Sequence, residues 1–82
     1  MQKQIVVAQR GWVFIGDVTT SDDGTITIEN AKNIRRWGTT SGLGQLAAEG
    51  PQENTRLDDY GTVFLHPLAI VARIKVTTDK WN

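Results

Sequence analysis

Trp12-Val13-Phe14-Ile15-Gly16-Asp17-Val18-Thr19-Thr20, then Ser21-Asp22-Asp23-Gly24, then Thr25-Ile26-Thr27-Ile28: this stretch decides the fold class. Its first part is dense in β-branched and aromatic residues, its middle holds turn formers with Gly24 free to take positive φ, and its last part alternates apolar with polar. The stretch reads as a β-hairpin. Upstream, Ile5 to Ala8 suits a strand and Arg10-Gly11 a turn or bulge. Downstream the second arm extends toward Ile34, because residues 26, 28 and 34 share parity. Asn30 and Lys32 would then fall on the same face, a conflict that a bulge at residues 29–31 relieves.

Beyond Gly42, Leu43-Gly44-Gln45-Leu46-Ala47-Ala48-Glu49 carries helix formers with apolar Leu43, Leu46 and Ala47 on one side and a stop at Gly50-Pro51, which predicts a short helix over 43–49. Residues 52–59 are polar and read as a loop that carries Arg56. Thr62 to Leu65 is strand-like, His66-Pro67 interrupts, and Leu68 to Val76 resumes with Leu68, Ile70, Ala72, Ile74 and Val76 as one core stripe. Trp12 is the core choice among three tryptophans, Trp37 is a ligand or interface candidate, and Trp81 a residue for packing on a neighbouring subunit. The fold expected is mainly β: a five-stranded antiparallel sheet, curled or an open barrel, with one short helix at residues 43–49.

The chain has 82 residues, room for one domain over 1–82, and so short a chain buries a small share of its surface, which makes a homo-oligomer the expectation. Nine Lys and Arg balance nine Asp and Glu, so the whole chain has no charge excess to draw it to nucleic acid or an anionic membrane. There is no cysteine, hence no disulfide or thiolate zinc site. The short apolar run after Gln4 cannot span a bilayer and no small-residue cleavage site follows it, which fits a soluble, cytoplasmic protein.

Chemistry concentrates in Ala31-Lys32-Asn33-Ile34-Arg35-Arg36-Trp37-Gly38-Thr39-Thr40-Ser41-Gly42-Leu43-Gly44. Arg35 and Arg36 offer planar donor forks for phosphate oxygens, Trp37 a stacking surface, and Thr39, Thr40, Ser41, Gly42 and Leu43 a helix start with unpaired backbone N–H groups. Arg56 would close such a pocket. Each part also has a plain structural reading: Thr40 or Ser41 as a helix cap, one arginine paired with Glu29 or Asp58, Trp37 as core or interface. In a regular strand Arg35 and Arg36 point to opposite faces, so both reach one ligand only with a local bend. His66 is the only histidine and reads as a strand-end residue, Asp22-Asp23 and Asp58-Asp59 as turn or loop chemistry. No nucleophile, base and orienting group occur together and no metal or cofactor is expected, so an enzyme is the least supported class.

Asn30-Ala31-Lys32-Asn33-Ile34 followed by Trp37, then Gly42-Leu43, Leu46-Ala47 and Gly50-Pro51, with Arg10-Gly11 and Gly16 upstream and Leu68 to Ile74 downstream, resembles a family of short, uncharacterised domains encoded by phages and prophages. The resemblance implies a viral origin and no particular reaction. Small phage proteins of this size include inhibitors of host defence, some of which sequester cyclic nucleotides or cyclic ADP-ribose signals. The leading expectation is therefore a non-enzymatic module that binds and sequesters a phosphorylated nucleotide in the host cytoplasm. The alternatives are a protein-binding inhibitor or structural phage component with a tryptophan-bearing face, and a nucleic-acid-binding module.

Overall fold

The computed structural model describes residues 2–81, so Met1 and Asn82, the outermost residues of the expected start and tail, lie outside the described residues. Five strands, β1 (Gln2–Ala8), β2 (Val13–Thr20), β3 (Ile26–Arg36), β4 (Arg56–Leu65) and β5 (Ile70–Lys75), form one sheet in the order β4-β3-β2-β1-β5. All neighbours are antiparallel. One helix, α1 (Leu43–Glu49), links β3 to β4, and 3-10 turns occupy Gln9–Gly11 and Pro67–Ala69. The mainly β architecture with one short helix is the one expected. None of the helices is long and apolar enough to cross a membrane among the described residues.

The order of strands forces the sheet to curl. β4 and β5 are its two edges, about 19 Å apart across four flat inter-strand spacings. Yet they are joined only by His66 and the turn Pro67–Ala69, which at about 2 Å per residue advances roughly 6 Å. The edges must bend toward each other at that end. They share no ladder, so the roll stays open.

Two apolar clusters result, one on each face. Val6, Phe14, Val18, Ile26, Ile28 and Ala31 are buried inside the roll, with Val63, Leu65 and Ile70 against them. Ile5, Val13, Ile15 and Ile34 line the other face, where Leu46 and Ala47 of α1 cover them. Ile5, Val6, Ile26, Ile28 and Leu46 are fully buried, each contributing about 1.5–3 kcal/mol.

β3 serves both clusters because of a bulge. Asn30 is an extra residue relative to both neighbouring strands, with φ 53°, a left-handed conformation that asparagine tolerates better than most residues. Its side chain donates to Asp17 Oδ2 at 3.3 Å. The bulge expected at residues 29–31 is thus present, but it reverses the parity beyond it: Ile26 and Ile28 face into the roll while Ile34 faces α1. Gly16 makes room opposite, where a Cβ would stand 2.5 Å from Ile28 Cγ2 and 2.8 Å from the Glu29 carbonyl.

Several expectations are corrected. β4 begins at Arg56, so the loop ends at Thr55 and Asp58-Asp59 lie on a strand. The stripe at residues 68–76 is split, because the 3-10 turn and a register shift at Val7/Ala8 break the alternation. Ile74 and Val76 join the α1 side, Ile70 joins the inside, and Leu68 is 78% exposed. Trp12 is 46% exposed rather than core. Trp81 packs within its own chain, donating from Nε1 to the Leu46 carbonyl at 2.9 Å.

Candidate functional site

The helix-start loop uses most of its polar groups internally. Gln45 Oε1 accepts from the backbone N–H groups of Thr40 at 3.0 Å and Ser41 at 2.8 Å. Thr39 Oγ1 accepts from Gly42 N at 3.1 Å. Gly42, with φ 81°, is the N-cap residue and no side chain caps the helix there, in place of the expected Thr40 or Ser41 cap. The side chain of Leu43 packs against the α1-side cluster. A carboxamide oxygen from the helix itself therefore occupies the place where an anion would accept from Thr40 and Ser41.

The arginines are another matter. Between Ile34 and Arg36 the β3–β4 ladder shifts register, so Arg35 and Arg36 both stand opposite the single residue Arg56. A bulge of this kind supplies the local bend that a regular strand lacks. Arg35 Nε pairs with Asp58 Oδ2 at 3.1 Å, the pairing foreseen as the structural alternative. Arg56 Nη1 donates to the carbonyls of Glu53 at 3.3 Å and Thr55 at 3.2 Å. Among the described residues neither Arg36 nor Arg56 has a carboxylate partner. Like charges directly opposite on neighbouring strands repel, so this corner holds excess positive charge. Trp37 follows it, 42% exposed, its carbonyl accepting from Thr55 Oγ1 at 2.7 Å.

The second feature has no counterpart in the sequence reading. Where the roll stays open, Trp12, Phe14, Tyr60, Val63, Leu65 and Ala69 line a groove of about 290 Å³, together with Ala8 and Gln9. Trp12, just before β2, and Phe14 on it are two residues apart and their rings lie parallel, centroids 5.9 Å apart at 4°. Tyr60 meets Phe14 edge-on at 5.8 Å and Trp12 at 6.1 Å, a geometry that aromatic quadrupoles favour. Tyr60 reaches this position because it is the extra residue of a bulge in β4, between the pairs Lys32↔Asp59 and Ala31↔Gly61. Phe14 forms a buried floor, while Trp12 and Tyr60, each 46% exposed, form the rims. The one amide at the groove, Gln9 Nε2, is spent on the Leu68 carbonyl at 2.9 Å.

Groove and basic corner share one face. Phe14, Asn33 and Asp58 are register partners across β2, β3 and β4, and Asp58 lies between Tyr60 and Arg56 along β4. From Tyr60 to Arg56 is four residues, about 13 Å at strand rise. The spacing of Trp12 and Phe14 was the available sign of an exposed aromatic face, but the alternation of buried strands gives the same pattern. His66 Nδ1 accepts from Leu68 N at 3.1 Å, capping the second 3-10 turn. No cluster of three metal-ligating side chains occurs among the described residues.

No curated protein matches this chain. The model of the family described as "Domain of unknown function (DUF6948)" matches residues 1–82, and the chain therefore belongs to that family.

Proposed function

We propose that this protein is a non-enzymatic binding module that takes an extended segment of a partner protein in the groove between Trp12, Phe14 and Tyr60. One observation carries the reading: the cluster inside the roll is open at the groove, where two large aromatic rims stay half in water over the buried ring of Phe14. Such anchors are the kind that dominate protein interfaces. Aromatic-lined grooves accept extended, proline-containing chains, which lose little entropy on docking. Small-molecule sites add a few convergent polar groups to an apolar wall; here Gln9 Nε2 is already bonded to the Leu68 carbonyl, and the other polar atoms of the lining side chains are the Trp12 indole N–H and the Tyr60 hydroxyl on the rims.

Panning a random peptide library on the purified protein tests this. Peptides are expected to be enriched, and to lose about tenfold or more in affinity on Trp12→Ala or Tyr60→Ala. A library that yields no specific binder overturns the reading.

A second reading is supported by the basic corner. A phosphorylated nucleotide of the cyclic dinucleotide or cyclic ADP-ribose type would set its phosphates on Arg36 and Arg56 and its base against Trp37, and the module would sequester it, as a phage inhibitor of host defence would. Titration calorimetry against a panel of these nucleotides is expected to give micromolar binding that Arg36→Glu removes. Absence of heat across the panel rejects it.

A further inference from the structure

We infer that the segment held in the aromatic groove carries an acidic residue about four positions from its apolar anchor, and that Arg36 and Arg56 receive it; this rests on the peptide reading of the groove. The argument is charge complementarity on a fixed ruler. Tyr60, Asp58 and Arg56 follow one another along one face of β4, and an extended ligand chain advances at the same roughly 3.3 Å per residue as a strand. An anchor beside Tyr60 therefore sets a residue about four positions away at the corner. Of the charges there, Arg35 and Asp58 satisfy each other at 3.1 Å. Arg36 and Arg56 are register partners without a carboxylate among the described residues, and Arg56 Nη1 rests only on the carbonyls of Glu53 and Thr55. A carboxylate between the two arginines relieves their repulsion and forms charge-assisted bonds.

The binders enriched on the purified protein test the inference. They are expected to share Asp or Glu at a constant spacing from a Pro, Leu or aromatic anchor. The double variant Arg36→Glu with Arg56→Glu should bind such a peptide about tenfold less tightly, and a peptide with Lys in place of the acid should recover binding to that variant only. Thermal unfolding of the double variant checks that it is folded; should it not be, the single Arg36→Glu variant bears the same test. Enriched peptides with no acidic position, or binding indifferent to the reversal, overturn the inference and leave the groove reading standing. A library with no binder removes both.

Discussion

Single residues decide this fold most sharply where backbones crowd. Gly16 lies under the β3 bulge, and the added methyl of Gly16→Ala would collide with the Ile28 side chain and the Glu29 carbonyl. The variant is expected to lose about 1–3 kcal/mol, as overpacked sites do, seen as a lower urea midpoint with an unchanged slope. Asp23 matters through its charge. The backbone N–H of Thr25, then the hydroxyls of Ser21 and Thr25, hold its carboxyl below the ordinary range. A carboxyl depressed in the folded turn binds its proton less readily than in the unfolded chain. It adds stability at and above the usual carboxylate range and loses that contribution as pH falls through its folded value. Asp23→Asn should therefore be less stable than the parent at neutral pH, with the gap closing in acid, in denaturation midpoints taken across pH. The turn that Asp23 organises is the one its sequence announced, since Asp, Ser and Gly act through neighbours along the chain.

Elements were legible in proportion to how local their causes are. Helix α1 has the limits its apolar spacing and Gly50-Pro51 stop imply, and the hairpin has its turn at Ser21 to Thr25. What stayed hidden depends on pairing across the sheet. The bulges at Arg35 and Tyr60 exist only relative to a partner strand. They are what gather the arginines and raise the tyrosine, so the basic corner was readable as composition and the groove only as the ambiguous spacing of Trp12 and Phe14. Trp81 shows the same limit, because its partner is a helix carbonyl from a distant part of the chain. With Thr77 N on the Ala47 carbonyl at 2.9 Å, the tail completes the C-terminal end of α1. Trp81→Phe keeps the ring against the cluster and removes the donor. It should cost about 1 kcal/mol and raise amide exchange in α1 before that in β2 or β3.

For the whole molecule, the open roll leaves two strand edges and the apolar side chains Phe64, Leu68 and Val71 in water. Edges of this kind invite pairing between copies. We expect native mass spectrometry to give a multiple of the 9.1 kDa chain and Val71→Lys with Leu68→Lys to shift it toward the single chain. A monomer in the parent would remove self-assembly from the account and leave the groove untouched. The connectivity also sets an order of events. β1 to β4 form a meander in which each strand meets the one before it, whereas β5 pairs only with β1, from the far end of the chain. Contacts so distant in sequence are costly to close. The last strand is thus expected to dock last and to leave first in the folding reaction. It is joined directly to the turn that brings Ala69 to the aromatic groove, so an occupant bridging that wall to Tyr60 would act as a kinetic clasp, slowing the first step by which the domain comes apart.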